Sequence, residues 1–253
     1  MTDTHAHLND PLFDSDIPAV LERSAANGVR YIIVCGWDIP SSERAVALAG
    51  SYDSVYAAAG VHPHDSPSWS SQTEQALLGL LQDNKVVALG EIGLDYYYDL
   101  EFKELQQACF RQQLAIALER RIPVSIHSRQ AMKDTIAILK EYRGITGVLH
   151  FFTGDRDDLK ELLNMGLFIG ADGPLTFKSS SDLRSVIKDA PEDRILLETD
   201  CPYMAPVPFR GKRCEPYMVR HILEYLAELR QTDPLVLKET IRSNTYRLFG
   251  IGP

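Results

Sequence analysis

The sequence lacks the features that mark secreted and membrane proteins. Its four cysteines form neither a C-x-x-C pair nor a recognisable disulfide framework: Cys35, Cys109, Cys201 and Cys214. No apolar run reaches about 18 residues, the length that a membrane-spanning helix needs. The polar, charged N-terminus differs from a secretory signal peptide. We therefore expect a cytoplasmic protein with reduced thiols and no membrane contact.

Positive charge is also scarce. Lys and Arg total 26 against 35 Asp and Glu, which gives a formal net charge of −9 at pH 7. Such a balance argues against a protein that coats nucleic acid by bulk electrostatics. It is compatible with a nucleic-acid enzyme, because bound cations can neutralise carboxylates at a local site. No feature of the sequence indicates a protein partner.

Short apolar runs alternate with amphipathic stretches along the chain. Eight segments have the composition of buried parallel strands: 2–8, 31–36, 55–60, 86–90, 123–126, 147–150, 167–170 and 195–199. Six stretches between them have apolar residues at helical spacing: 15–27, 40–50, 72–82, 102–120, 131–142 and 157–165. Residues 216–248 are predicted to form C-terminal helices.

The absence of a linker or a change in composition predicts one domain over residues 1–253. About eight strand–helix units close into a TIM-type (β/α)8 barrel of the α/β class, here with extra C-terminal helices. The alternative is an open doubly wound sheet. A dinucleotide-binding sheet of that kind carries G-x-G-x-x-G after its first strand, and "THAHLNDPLF" does not supply it.

Histidines gather at the predicted strand ends. Six of the seven lie at or just past the carboxyl end of a strand: His5, His7, His62, His64, His127 and His150. Glu91 and Asp200 are placed at the ends of two strands. Barrel enzymes place their chemistry at this face, and imidazole with carboxylate suits divalent ions such as Zn²⁺ and Mn²⁺. Because residues i and i+2 of a strand point to the same side, His5 and His7 can reach one ion.

An ordered set of motifs resembles the TatD-type family of metal-dependent hydrolases. The motifs are "DTHAH", "GVHPH", "GEIGLDYYYD", "IHSR", "HFFTG", "ETDCPY" and "NTYRLF", and they extend from Asp3 to Phe249. Members of this family are usually called deoxyribonucleases and belong to the amidohydrolase-like barrels. The resemblance implies a TIM-type barrel, divalent metal and hydrolysis of the phosphodiester bonds of DNA.

The resemblance also implies a ligand set. Six positions match the metal ligands of the family: His5, His7, Glu91, His127, His150 and Asp200. Glu91 would bridge two divalent ions (Zn, Mn, Mg or similar), with His5, His7 and Asp200 on one side and His127 and His150 on the other. The chain departs from the family pattern in "HFFTG", where "HCFSG" is common, and at Cys214, where asparagine is usual.

Two carboxylates are the predicted catalytic residues. Glu91 in "ALGEIG" supplies a carboxylate where some two-metal barrels use a modified lysine, and a carboxylate suits a bridge between two cations. Asp200 either accepts a proton from the attacking water or caps its strand. Cys201 beside it is interpreted as a packing residue, because metal-activated water makes a thiol nucleophile unnecessary.

Several side chains on the same rim are candidates for substrate contact. Those that can bind phosphate are His62, Arg129, Arg210 and Lys212. His62 has the alternative of shaping the turn at Pro63. The run from Tyr96 to Tyr98 either stacks on bases or packs against the barrel.

These observations predict a divalent-metal-dependent deoxyribonuclease that uses metal-activated water, acts exonucleolytically and takes single-stranded or end-accessible DNA. An alternative is a metal hydrolase of another ester or amide, such as an aminoacyl-tRNA ester, a lactone or a phosphotriester, since the same ligands serve all of these. A third hypothesis is a non-catalytic, metal-stabilised scaffold. Because all six ligand positions of the family are filled, the scaffold is disfavoured.

Overall fold

A computed structural model describes residues 1–98 and 100–252 of the chain. Eight parallel strands form one sheet, and each strand pairs with the next one along the chain. Their bounds are Thr2–Ala6 (β1), Tyr31–Cys35 (β2), Val55–Ala59 (β3), Val86–Asp95 (β4), Val124–Arg129 (β5), Gly147–Leu149 (β6), Phe168–Ala171 (β7) and Ile195–Leu197 (β8). This sequential parallel order is that of a TIM-type barrel.

An α-helix follows every strand, and one more ends the fold. The helices are Ile17–Ala26 (α1), Ile39–Ser51 (α2), Ser71–Leu80 (α3), Lys103–Arg120 (α4), Met132–Glu141 (α5), Arg156–Asn164 (α6), Ser181–Asp189 (α7), Val219–Arg230 (α8) and Pro234–Phe249 (α9). The sequence prediction omitted α7, a short helix with few apolar residues. Within the described part of the chain, no helix has the length and hydropathy required to cross a bilayer.

Contacts between β1 and the β8 region close the barrel. The hydroxyl of Thr4 donates to the carbonyl oxygen of Leu197 at 3.0 Å. Ala6 forms a parallel bridge with Cys201. These contacts confirm the barrel prediction and exclude the open doubly wound sheet.

Successive strand residues enter two different apolar layers. In β2, Ile32 belongs to the layer between sheet and helices, whereas Ile33 belongs to a smaller cluster that includes Phe249 of α9. Because neighbouring strand residues point to opposite faces, the smaller cluster is the barrel interior. Tyr31 and Tyr56 at the strand starts pack against this cluster. The cluster therefore fills the amino-terminal end of the barrel and leaves the carboxyl-terminal end to polar side chains.

β4 is longer than predicted, and this corrects the placement of Glu91. The prediction ended the strand at residue 90 with Glu91 at its end, but β4 continues to Asp95 and Glu91 lies inside it. The strand continues past Gly93, where an added Cβ would lie 2.0 Å from the carbonyl oxygen of His127. Glycine at that position lets β4 and β5 approach closely, so their pairing extends to Asp95 and Arg129.

Local signals account for the start of α2 and the end of α9. At the start of α2, the Asp38 side chain accepts from the Ser41 N–H at 2.8 Å, and the Ser41 hydroxyl accepts from the Asp38 N–H at 2.9 Å. This reciprocal pair satisfies two backbone donors that the helix leaves free. Gly250 ends α9 in the left-handed region at a φ of 70°, a conformation that glycine adopts without steric cost.

Candidate metal centre

A cavity of about 860 Å³ opens at the carboxyl-terminal end of the barrel. Five of the six predicted ligands line it: His7, Glu91, His127, His150 and Asp200. His5, the sixth, is fully buried and stacks on His150, with ring centroids 3.8 Å apart. The fold thus brings together six residues from distant parts of the sequence.

The first group of these side chains comprises His5, His7 and Asp200. Nε2 of His5 and Nε2 of His7 are 3.3 Å apart. Oδ1 of Asp200 lies 3.3 Å from Nε2 of His7 and 3.9 Å from Nε2 of His5. With one ligand atom from each residue this close together, the three can hold one metal ion.

The second group comprises Glu91, His127 and His150. Oε1 of Glu91 lies 2.9 Å from Nδ1 of His127 and 2.8 Å from Nε2 of His150. The two ring nitrogens are 3.4 Å apart. These three residues can likewise hold one ion.

The Glu91 carboxylate connects the two groups. While Oε1 faces His127 and His150, Oε2 lies 3.4 Å from Nε2 of His5 and 3.7 Å from Nε2 of His7. The side chain is only 6% exposed, so these imidazoles surround it instead of solvent. One oxygen of a single carboxylate therefore faces each group.

The two β1 histidines are oriented by outer partners. Nδ1 of His7 lies 3.0 Å from the carbonyl oxygen of Cys35. A carbonyl only accepts, so Nδ1 carries a proton, and in the neutral ring Nε2 has its lone pair towards the cavity. Nδ1 of His5 lies 3.1 Å from the Ser125 hydroxyl, which can hold that ring in the same tautomer. Partners of this kind are typical of metal-binding histidines.

His127 is oriented by the opposite nitrogen. Its Nε2 lies 3.1 Å from Oδ2 of Asp95, which leaves Nδ1 to face Glu91. Nε2 of His64 also lies 3.1 Å from the same oxygen. Burial tends to raise the pKa of Asp95, but the hydrogen bonds with His127 and His64 outweigh it and hold that pKa well below its usual range. Asp95 is therefore an ionised acceptor that fixes the His127 ring.

Both central carboxylates are ionised despite their burial. Burial tends to raise the pKa of Glu91, but the neighbouring imidazoles, first that of His150, outweigh it and lower that pKa well below its usual value. For Asp200, burial is again opposed, here chiefly by His7, and the pKa is lowered. Ionised carboxylates interleaved with imidazole nitrogens form an environment that favours a cation.

His62 shapes a turn and also faces the site. Its Nδ1 accepts from the His64 N–H at 3.2 Å and caps the 3-10 helix Pro63–Ser68. The ring proton therefore sits on Nε2, which lies 3.8 Å from Oε1 of Glu91. Burial lowers the pKa of His62 well below its usual value, so the ring is neutral and presents one N–H donor to the cavity.

Sequence reasoning missed Glu198, which follows β8 and is fully buried. Its Oε1 accepts from the Phe151 N–H and lies 3.6 Å from Nδ1 of His150. Within the described residues, Oε2 of Glu198 and Nδ1 of His150 have no hydrogen-bond partner. The only signal was a charged residue in "ILLET", and the prediction assigned that residue to the strand 195–199.

The loops around the cavity hold strained backbone. Four non-glycine lining residues have φ in the left-handed region: Gln130 at 54°, Phe151 at 47°, Asp200 at 51° and Met204 at 47°. Each such residue costs on the order of 1 kcal/mol, and these conformations are concentrated at functional sites. The strain at Asp200 accompanies the placement of its carboxylate beside His7.

The basic residues predicted to bind phosphate lie in different surroundings. Arg129 lines the cavity. Arg210 and Lys212 are not among its described lining residues. The Arg210 guanidinium lies 3.7 Å from the ring centroid of Phe177, and the Lys212 ammonium lies 5.8 Å from that of Phe209. A phosphate contact by Arg210 or Lys212 stays a prediction.

The tyrosine run divides between packing and exposure. Tyr96 is 9% exposed, whereas Tyr97 is 51% and Tyr98 is 63% exposed.

Cys201 and Cys214 are both buried, and burial raises the pKa of each thiol well above its usual value. Cys201 is therefore an unreactive packing residue, as the sequence analysis expected.

Comparisons with known proteins agree with this geometry. The model of the TatD-related DNase family matches residues 2–250. The metal-dependent hydrolase YabD of Bacillus subtilis strain 168 is 41% identical, over 98% of each chain. The 3'-5' ssDNA/RNA exonuclease TatD of Klebsiella pneumoniae strain 342 is 37% identical, over 99% of this chain and 98% of the relative. The crystal structure of the TatD homologue YJJV from Escherichia coli K12 superposes with a TM-score of 0.95 at 34% identity, over 100% and 98% of the two chains.

The barrel, the His and carboxylate clusters and these relatives define a metal-dependent hydrolase. Within that class, the chain belongs to the TatD-related DNase family.

Proposed function

We propose that this protein hydrolyses phosphodiester bonds of DNA with two divalent ions held at the carboxyl-terminal end of the barrel. The observation that carries the proposal is the position of Glu91, whose two carboxylate oxygens face two separate groups of ligand atoms. His5, His7 and Asp200 would hold one ion, His127 and His150 the other, and Glu91 would bridge them.

The donor set fits divalent ions. Because Nδ1 of His7 is taken up by the carbonyl of Cys35, its Nε2 is the atom available to an ion, 3.3 Å from a carboxylate oxygen of Asp200. Ligand atoms of a tetrahedral zinc site, with bonds of about 2.0–2.1 Å, lie about 3.3 Å from one another. The 3.3 Å between the Nε2 atoms of His5 and His7 agrees with this spacing.

When bound, the ions supply Lewis acidity that activates water and neutralises charge on the phosphate. The residues of the chain supply position and proton transfer. Asp200 is ionised and faces the cavity, so it can accept a proton from a water molecule beside it. His62 directs a neutral Nε2–H towards the same space and can donate to a phosphate oxygen.

The substrate assignment rests on the relatives and on the shape of the site. The Klebsiella relative is named as a 3'-5' ssDNA/RNA exonuclease. A cavity of about 860 Å³ has the size of small-ligand sites and can hold the last one or two nucleotides of a nucleic-acid strand. We infer exonucleolytic action on single-stranded or end-accessible DNA, by one catalytic domain spanning residues 1–253 in the cytoplasm.

Elemental analysis and a cleavage assay test the proposal. Purified protein is analysed for bound metal, then supplied with Mn²⁺, Mg²⁺ or Zn²⁺ and labelled single-stranded DNA, with and without chelator. We expect about two ions per chain and chelator-sensitive shortening of the DNA. A protein that binds metal, leaves single-stranded and duplex DNA intact and cleaves a lactone, an aminoacyl ester or a phosphotriester would overturn the substrate assignment in favour of that alternative.

A further inference from the structure

We propose that Tyr97, Tyr98 and Arg129 form a binding site for single-stranded nucleic acid beside the metal centre. We call this group the Tyr–Arg wall. Arg129 binds a backbone phosphate, and Tyr98 stacks on a base of the same strand. The inference rests on the proposed function and adds to it the place and the chemistry by which the strand is held.

The paired strands β4 and β5 position the Tyr–Arg wall. Arg129 is the last residue of β5, two residues after His127, and it pairs with Asp95 of β4. Its carbonyl oxygen accepts from the Tyr96 N–H at 2.9 Å. The Tyr97 N–H donates to Oδ1 of Asp95 at 2.8 Å, the same carboxylate that fixes His127. The wall is therefore held in a set position relative to the candidate metal ligands.

The Arg129 guanidinium is positioned by aromatic rings. It lies 3.9 Å from the ring centroid of Tyr97 and 5.0 Å from that of Tyr98, and the two rings meet edge to face with centroids 4.5 Å apart. Stacking holds the plane of a guanidinium and leaves its N–H edges free, the arrangement suited to a phosphate. Within the described part of the chain, no carboxylate lies within ion-pair distance of Arg129.

The wall supplies positive charge to an acidic cavity. Among the described lining residues, Arg129 is the one arginine or lysine, and the lining also includes the carboxylates of Asp65, Glu91, Asp95 and Asp200. The phosphate next to the one at the metal centre would therefore find its positive partner in Arg129.

Tyr98 offers a base-sized face at the cavity mouth. It lines the cavity, it is 63% exposed, and its ring lies 5.6 Å from that of His64. Stacking of a base on an aromatic side chain contributes about 1–3 kcal/mol and tolerates any sequence. Base faces inside a duplex are covered by their neighbours, whereas a single strand presents them. The wall therefore selects unpaired strands of either sugar without reading their sequence.

The test compares binding and catalysis in matched variants. Tyr98→Ala and Arg129→Ala are tested against Tyr98→Phe, which keeps the ring, and against Tyr246→Ala and Arg143→Ala, exposed residues outside the cavity. Fluorescence anisotropy with a labelled 12-nucleotide oligo-dT measures binding to the chelator-treated chain. Steady-state kinetics with Mn²⁺ uses the oligonucleotide and bis(p-nitrophenyl) phosphate, which carries a single phosphate and so has no second phosphate for Arg129.

We expect Tyr98→Ala and Arg129→Ala each to weaken oligonucleotide binding about tenfold, the factor that corresponds to about 1.4 kcal/mol. Arg129→Ala should also lower the slope of log affinity against log salt by about 0.7, the loss of one phosphate contact. The oligonucleotide KM should rise by a larger factor than the KM for bis(p-nitrophenyl) phosphate, and Tyr98→Phe should bind like the wild type.

Two results would overturn the inference: unchanged oligonucleotide affinity and salt slope in Arg129→Ala, or an equal loss on both substrates, which would indicate a distorted metal centre. A wild-type protein inactive on both phosphodiesters would instead contradict the proposed function. The anisotropy experiment would still decide whether the wall binds a single strand.

Discussion

Gly170 of β7 lies directly against the buried carboxylate of Glu198. A Cβ added to Gly170 would come within 2.2 Å of Oε1 of Glu198. The glycine therefore leaves the space in which Glu198 points at Nδ1 of His150, 3.6 Å away. This contact links a residue with no reactive group to the orientation of a candidate metal ligand.

Glu198→Gln should weaken metal binding while the fold is kept. A neutral amide of the same shape loses the negative charge that favours a proton on Nδ1 of His150 and a lone pair on Nε2. Loss of such an outer partner typically lowers metal affinity about 10–100-fold. Calorimetric titration with Mn²⁺ measures the affinity, and Glu224→Gln, an exposed residue of α8, is the control. Equal affinity in Glu198→Gln and wild type would show that His150 is oriented without Glu198.

Gly170→Ala should destabilise the barrel. Its methyl group would meet a fully buried carboxylate, and overpacking of this kind typically costs about 1–3 kcal/mol. Urea unfolding followed by circular dichroism measures the free energy of unfolding. Gly50→Ala in α2 is the matched control, because a Cβ there meets no heavy atom within 4 Å. The same unfolding midpoint for Gly170→Ala and wild type would mean that Glu198 moves aside at no cost.

Glu91→Gln should lower activity more than substitution of a residue such as Glu198, which only contacts a candidate ligand. The amide keeps one oxygen but loses the charge and the second oxygen, so it cannot face both ligand groups in the same way. We expect a loss of DNA cleavage greater than about 100-fold, the upper range for outer partners, together with fewer bound ions by elemental analysis. His221→Gln, outside the cavity, is the control. Two bound ions and near wild-type cleavage would exclude Glu91 as the bridge.

Much of the barrel and of its polar end could be predicted from the sequence, because both depend on local pattern. Apolar runs of four to six residues mark buried parallel strands whatever their partners are. Once the runs form a barrel, the residues that follow them meet at one end, so His127 and His150 could be brought together without coordinates. The i, i+2 spacing of His5 and His7 further predicted that both side chains point to the same side of β1.

The remaining features depend on contacts between distant segments. Gly93 was not expected inside a strand, because its fit depends on the carbonyl of His127 in another strand. Glu198 looked like part of β8 because the pattern cannot show that His150 lies beside it. Arg213, which follows Lys212, pairs with Asp16 at 2.7 Å and with Glu215 at 3.0 Å. Asp16 is so distant in sequence that its pairing with Arg213 leaves no local signal.

Metal binding should raise the thermal stability of the protein in a concentration-dependent way. The ligand atoms converge only in the folded chain, so an ion that binds there favours the folded state. At a metal concentration 100 times Kd, one site adds about 2.7 kcal/mol. A chain of this size gains about 2–4 °C in Tm for each kcal/mol, so we expect a rise of about 5–10 °C. Differential scanning calorimetry with increasing Mn²⁺, after chelation and dialysis, measures the shift.

His127→Ala removes a candidate ligand and should reduce the Tm shift, whereas His221→Gln should leave that shift unchanged. A Tm independent of Mn²⁺, or a shift of the same size in His127→Ala, would mean that these residues do not hold the ion.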